Sequence, residues 1–259
     1  MEWIERGSAC DLLLGDNPAG ARESLERLVA GVDVVVQPIA NRRKRLLVAD
    51  MDSTMIAVEC IDELADYAGL KAEVAAVTEQ AMRGELDFET ALEARVALLR
   101  DLEESMVDRC REERVRLTPG ARTLVRTMRA NGAHTRLVSG GFTRFAEPVA
   151  AAIGFDAVVA NELAIEGGRL AGSVTKPIVG AAAKERALLE AAWTRGIDLA
   201  DTLAVGDGAN DIAMIEAAGL GVAYRAKPAL AAVADARIEA SDLTALLFAQ
   251  GYSRAEWVD

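Results

Sequence analysis

Two aspartates separated by one residue, Asp50 and Asp52, stand directly behind the apolar run Leu46 to Ala49 and are followed by Ser53 and Thr54. The run is too short for a helix and is bounded by Lys44 and Arg45, so it reads as a buried strand. Ligands of open α/β sheets sit outside the carboxyl ends of the strands, which puts Asp50 at the mouth of a central strand. Aspartate and serine at a strand end also make ordinary turns, so the pair alone decides little. Three later segments supply complementary groups. The run Thr135 to Val138 ends in Ser139-Gly140-Gly141, Lys184 opens an alanine-rich helical stretch, and Thr202 to Val205 ends in Gly206-Asp207-Gly208-Ala209-Asn210-Asp211. Together they offer carboxylates (Asp50, Asp52, Asp207, Asp211), a hydroxyl, an ammonium and glycines that admit close backbone approach. So many acids suit a hard cation; Mg²⁺ keeps several waters and takes one or two carboxylates. Phosphoryl transfer is the reaction such a set serves. A metal and an ammonium neutralise the phosphoryl oxygens while one carboxylate attacks in line. A second carboxylate two residues on can protonate the leaving alkoxide and later deprotonate water.

These groups converge only if the right elements carry them. From residue 117 onward, helical stretches (Thr123 to Ala130, Phe145 to Ile153, Ala181 to Thr194) alternate with short β-like runs (Thr135 to Val138, Ala157 to Ala160, Thr202 to Val205, Gly221 to Tyr224). Leu163 to Val174 reads as a hairpin turning at Gly167-Gly168. This alternation predicts an α/β fold: a Rossmann-like parallel sheet with helices on both faces. Between the first strand and that pattern the chain is helical throughout, over Val58 to Ala68, Glu73 to Met82 with a stop at Gly84, Phe88 to Arg100 behind the capping Asp87, and Glu103 to Glu113. The expected organisation is a core of residues 45–56 and 117–259, a helical cap domain of residues 57–116 inserted in it, and an N-terminal extension of residues 1–44. The extension holds a helical pattern over Ala19 to Val29 and an apolar run over Val32 to Val36, but no legible chemistry. It fits the remnant of a regulatory domain, an extra layer on the sheet, or a dimerisation arm that would make a homodimer.

Composition narrows the partners. The 259 residues carry a formal charge of −12, which argues against nucleic acid or an anionic membrane as partner. An anionic substrate would need locally concentrated cations. Cys10, Cys60 and Cys110 form neither a metal-spaced pair nor a disulfide framework, which fits a reducing cytoplasm. The start Met1-Glu2-Trp3-Ile4-Glu5-Arg6 lacks a secretory pattern, and no uncharged apolar run approaches the length of a membrane span.

In order, Asp50-Met51-Asp52-Ser53-Thr54, Ser139-Gly140-Gly141, Lys184 and Gly206-Asp207-Gly208-Ala209-Asn210-Asp211 resemble the four motifs of the haloacid dehalogenase superfamily. The finer resemblance, over about residues 45 to 230, is to its phosphoserine phosphatases. It rests on Glu59-Cys60-Ile61-Asp62-Glu63, Arg95-Val96, Val138 to Phe142, and Ala223 to Pro228. The resemblance implies hydrolysis of a small-molecule substrate, O-phosphoserine, to serine and phosphate in serine biosynthesis. Asp50 would be the nucleophile forming an aspartyl-phosphate, and Asp52 the general acid and base. Mg²⁺ would be held by Asp50, the Asp52 carbonyl and Asp207, with Asp211 in or near the second coordination sphere. Ser139, Gly140 and Lys184 would hold the phosphoryl oxygens and Asn210 would help position the substrate. In the cap, Glu59 would meet the substrate ammonium and Arg95 its carboxylate, while Met82 and Phe88 would form an apolar lid.

Plainer roles compete with several of these. Glu59 shares a helical stripe with Asp62, Glu63 and Asp66, the pattern of a solvated face. Met82 and Phe88 suit an ordinary core, and Lys184 a solvated helix start. Arg95 is more telling, because it shares a helix face with Phe88, Leu92 and Leu99. A snorkelling or core-paired arginine also fits that position. Transfer of the phosphoryl group to another hydroxyl, such as that of homoserine, would use the same residues. So would hydrolysis of a different small phosphomonoester. A phosphate-accepting signalling module would be about half this length and lack the helical insert.

Overall fold

The computed structural model describes residues 1–15, 20–83 and 85–259, the Met82 side chain excepted. The chain begins with an antiparallel hairpin, β1 (Glu2–Glu5) and β2 (Ala9–Asp11), and helix α1 (Ala21–Leu28). Strand β3 (Leu46–Ala49) follows, with every residue fully buried. Helices α2 (Cys60–Tyr67), α3 (Lys71–Met82), α4 (Phe88–Leu98) and α5 (Glu104–Arg114) come next. The Asp87 carboxylate caps α4 by accepting from the Thr90 N–H at 2.8 Å. Strands and helices then alternate: α6 (Ala121–Ala130), β4 (His134–Phe142), α7 (Thr143–Ile153), β5 (Ala157–Glu166), β6 (Arg169–Thr175), α8 (Ala181–Arg195), β7 (Thr202–Gly206), α9 (Ile212–Ala217), β8 (Leu220–Tyr224), α10 (Pro228–Val233), β9 (Ala236–Ile238) and α11 (Ala245–Ala249).

Seven strands form one sheet in the order β6-β5-β4-β3-β7-β8-β9, parallel except for the β5–β6 pair. Along β3, Leu47 and Ala49 join the apolar core on one face while Leu46 and Val48 join the core on the other. That two-residue alternation, apolar on both sides, is what a strand covered by helices on both faces requires. Helices α8, α9 and α10 cover one face through Ala187, Leu188, Met214 and Leu230; α6, α7 and α11 cover the other through Leu124, Phe145 and Leu246. From β3 the chain runs outward through β4 and β5 on one side and β7 to β9 on the other. The crevice at the carboxyl end of β3 is therefore the switch point where such sheets bind ligands.

Helices α2 to α5 leave the sheet and return at adjacent points. Ile56 and Leu117 form an antiparallel bridge, and the Ala57 and Thr118 N–H groups donate to the Arg116 and Met55 carbonyls at 3.0 Å each. The α4–α5 turn is also stitched to β6, through Asp101 N–H to Leu170 O and Leu170 N–H to Leu102 O, both 2.9 Å. Leu64, Leu92, Val96 and Val107 of these helices share an apolar core with Phe142 and Phe145.

The N-terminal segment lies along the β9 side of the sheet and beside α11. Arg22 donates to Ala234 O at 2.6 Å, and the Asp33 carboxylate accepts from the N–H groups of Glu239, Ala240 and Ser241 at 2.8–3.0 Å. Arg42 forms a forked pair with Asp11 at 2.6 and 2.7 Å and donates to Ala249 O at 2.8 Å. A covered edge strand is a blunted template for unwanted pairing. Ala19, the expected start of the first helix, and Gly84, the expected stop of another, lie outside the described residues.

One expectation changes. The run Ala157 to Ala160 and the first arm of the hairpin form a single strand, β5, parallel to β4 up to Asn161 and antiparallel to β6 beyond it. The polar Asn161-Glu162 step looks like a break in sequence; the strand carries it because the buried Asn161 side chain is hydrogen bonded across the site. Among the described residues no helix is long and apolar enough to cross a membrane.

Candidate active site

The Asp50 N–H donates to Val205 O at 3.0 Å, extending the β3–β7 ladder by one residue. The chain then turns sharply. Asp52 is extended (φ −66°, ψ 136°), Ser53 is left-handed (φ 55°, ψ 2°), and the Ile56 N–H closes the turn on Met51 O at 3.0 Å. Asp50 Oδ1 accepts from the Met51 N–H at 2.8 Å and pairs with Lys184 Nζ at 2.7 Å. Its Oδ2 has no hydrogen bond among the described residues. Lys184, fully buried in the first turn of α8, also donates to Asp211 Oδ1 at 2.8 Å. Asp211 Oδ2 accepts from the Gly208 N–H at 3.1 Å.

Asp50, Asp207 and Asp211 each present a carboxylate oxygen within 4.8 Å of the others, and all three residues are buried. Three buried acids against one buried ammonium, Lys184, with the exposed Lys227 at the rim, leave an excess of negative charge. Burial, then the Asp211 charge, pushes the Asp50 carboxyl well above the usual carboxylate range, against the pull of Lys184. Burial, then the neighbouring charges of Glu59 and Asp211, pushes Asp207 up to about 6 despite Lys227 at 3.8 Å. Burial disfavours the Lys184 ammonium, yet Asp50 and Asp211 hold its proton above the ordinary lysine range. The donor set is all hard oxygen and electrically unbalanced, and a divalent cation would balance it.

The Asp52 carboxylate is turned away from that triad. Its Oδ1 accepts from the Cys60 N–H at 2.8 Å and its Oδ2 from the Ser139 hydroxyl at 3.1 Å. Burial first, and then the Glu59 charge, raises its carboxyl, favouring a proton that an acid catalyst could give up. Ser139 Oγ in turn accepts from the Gly141 N–H at 2.8 Å. A Cβ on Gly141 would lie 2.8 Å from Asp52 Oδ2, so only glycine lets β4 pass the acid this closely.

The helices after β3 bring further groups to the same crevice. Glu59 precedes α2 and accepts from the Ser53 hydroxyl at 2.8 Å. Arg95 of α4 is half-buried; its Nε donates to Ala91 O at 3.2 Å, and its two Nη groups have no partner among the described residues. Burial lowers its pKa while Asp62, Glu59 and Asp52 oppose that, so the guanidinium sits within the charge field of the site. The Phe88 ring lies against Gly140 and Gly180, where a Cβ would meet it at 3.0 and 3.1 Å. Asn210 is half-buried and folds back on Gly208, with no side-chain hydrogen bond among the described residues. Met82 ends α3; its side chain lies outside the described residues.

Other residues at the crevice were not anticipated. Asn161, buried at the β5 bend, donates to Gly140 O at 2.8 Å and accepts from the Val179 N–H at 2.7 Å. It ties the Ser139-Gly140 loop to the segment leading into α8 and Lys184. Its one sequence signal is a polar residue at the end of an apolar run. Lys227, beside Asp207, and the Ser53 hydroxyl fall inside the motif stretches Ala223 to Pro228 and Asp50 to Thr54, which by themselves assign neither a role.

Residues 47–216 match the family model of the haloacid dehalogenase-like hydrolases. The chain is 48% identical over 233 residues to a phosphoserine phosphatase of Streptomyces coelicolor, an alignment covering 89% of this chain and 57% of that one. It is 46% identical over 202 residues to a phosphoserine phosphatase of Idiomarina loihiensis, covering 78% and 91%. A solved substrate-bound phosphoserine phosphatase complex superposes with a TM-score of 0.74 at 40% identity, over 80% of this chain and 98% of its own. Against three of the curated relatives the chain spans only 55–65% of their length.

Proposed function

This chain belongs to the haloacid dehalogenase-like hydrolase family, and we propose that it is a Mg²⁺-dependent phosphatase that hydrolyses O-phosphoserine. The observation that carries the substrate is the pairing of opposite charges over an acidic, lysine-bearing crevice. Glu59 fits an ammonium, and the Arg95 Nη groups, without a partner among the described residues, fit a carboxylate. A phosphorylated amino acid carries both groups. The names of the similar proteins agree with this reading.

The cation would be held by Asp50, Asp207 and the Asp52 carbonyl, with Asp211 contributing or standing just behind. Bound there, it would neutralise phosphoryl oxygens and balance the acidic triad. Asp50 is oriented for attack because Oδ1 is gripped by Lys184 and the Met51 N–H, leaving Oδ2 for phosphorus. Ser139, the Gly140 backbone and Lys184 would steady the transferring group. Asp52, its proton favoured by burial and by Glu59, protonates the departing serine oxygen and then takes a proton from the water that hydrolyses the aspartyl-phosphate. The Ile56–Leu117 bridge at the root of α2 to α5 supports reading residues 57–116 as a cap. Phe88 against Gly140 and Gly180 supports its role as part of an apolar lid that excludes water.

The test is phosphate release from a panel of phosphomonoesters with Mg²⁺, run on the wild type and on Arg95→Ala. Losing a charge-assisted contact in a dry site costs ~1.5–3 kcal/mol, or roughly ten- to a hundredfold in kcat/KM for phosphoserine. Nitrophenyl phosphate has no carboxylate and should lose far less. Equal losses on both substrates would make Arg95 structural and remove the main support for phosphoserine.

A further inference from the structure

Ser53 occupies a backbone conformation, φ 55° and ψ 2°, that suits glycine and is costly for a residue with a Cβ. A serine held there is expected to return something that glycine cannot. Its hydroxyl donates to Glu59 Oε1 at 2.8 Å, and its N–H donates to Val58 O at 3.2 Å. The preceding residue makes a parallel link, Asp52 Oδ1 accepting from the Cys60 N–H at 2.8 Å. Consecutive residues of the nucleophile turn therefore grip consecutive residues at the start of α2. With Oε1 held by Ser53, Glu59 Oε2 has no hydrogen bond among the described residues and is left for a ligand.

We propose that Ser53 is a positioning residue for amine selectivity: its hydroxyl aims the Glu59 carboxylate at the ammonium of the substrate. The proposal rests on the phosphoserine reading and deepens it. A carboxylate with one oxygen fixed is preorganised for the ammonium, whereas a freely rotating one must be ordered on binding. The left-handed serine links that order to the turn bearing Asp50 and Asp52.

The experiment compares phosphoserine with its deamino analogue, 3-phosphooxypropionate, which keeps phosphate and carboxylate and lacks the amine. The proteins are the wild type, Ser53→Gly, Glu59→Gln and the double variant, each with Mg²⁺. Glycine accepts the backbone conformation, so Ser53→Gly should unfold at no lower temperature than the wild type, which separates positioning from folding. Its preference for phosphoserine over the analogue should shrink about tenfold, mostly through KM, the scale of one lost charge-assisted hydrogen bond. In the Glu59→Gln background the same substitution should have little further effect, since both act on one interaction. An unchanged preference in Ser53→Gly, or additive losses in the double variant, overturns the proposal while leaving the phosphoserine reading intact. A wild type that shows no preference for phosphoserine over the analogue overturns both.

Discussion

In a chelated, metal-free preparation Asp207→Asn should be more stable than the wild type above pH 6, and the order should reverse when Mg²⁺ is added. Asp207 is only 6% exposed, and burial with the Glu59 and Asp211 charges lifts its carboxyl from 3.8 to about 6. Between those values the folded chain keeps a proton that the unfolded chain has released. Folded stability therefore falls as pH rises from about 4 to about 6 and stays lower above it. At ~1.4 kcal/mol per pH unit, the rise is worth ~3 kcal/mol by neutral pH. Asparagine keeps the shape without the charge and should recover up to that amount in EDTA. Mg²⁺ at ~1,000 times its dissociation constant for the wild type would stabilise the wild type by ~4.1 kcal/mol, more than that ~3 kcal/mol, and the variant lacking one ligand carboxylate hardly at all. Urea denaturation followed by tryptophan fluorescence, at pH 4.5 and pH 8, in EDTA and in Mg²⁺, reads all four cases. Parallel profiles for the two proteins in EDTA would refute the charge argument. Failure of the order to invert in Mg²⁺ would refute the assignment of Asp207 as a metal ligand.

Two further outcomes follow from the same geometry. Asp52→Asn should lose much more activity toward phosphoserine than toward nitrophenyl phosphate, because an alkoxide leaving group needs a proton, which Asp52 would supply in the proposed role, and a nitrophenolate does not; equal losses in steady-state kinetics would give the acid role to another group. Burial opposes the Asp33 charge, but N–H donors from Ala240, Glu239 and Ser241 hold its carboxyl below the usual range. Its contribution is thus present above about pH 4 and lost as pH falls through the lowered value. Asp33→Asn should destabilise the chain by ~1–3 kcal/mol at pH 7, with the deficit narrowing below pH 4; a deficit of the same size at pH 3 and pH 7 would mean the charge is irrelevant.

The groups legible from residue order alone are those that depend on local pattern. Asp50 and Asp52 follow an apolar run, Ser139 and Asp207 end others, and Lys184 opens a helix; strand ends and helix starts are short-range features that composition and period encode directly. The helices of residues 57–116 were legible for the same reason, as was the alternation that implies a parallel sheet. Long-range packing decided which strands are neighbours, and with that, that Lys184 bridges Asp50 and Asp211 and that Asp52 faces Cys60 and Ser139 while the other acids converge. It also decided that Phe88 of α4 lies on Gly140, that Asn161 fastens Gly140 to Val179, and that Arg22, Asp33 and Arg42 hold the first segment against the β9 side and α11. These contacts join residues far apart in the chain, and no local propensity specifies them. They form because burying both faces of β3, with helices seated on the apolar core of each face, brings these polar groups within hydrogen-bond reach of one another.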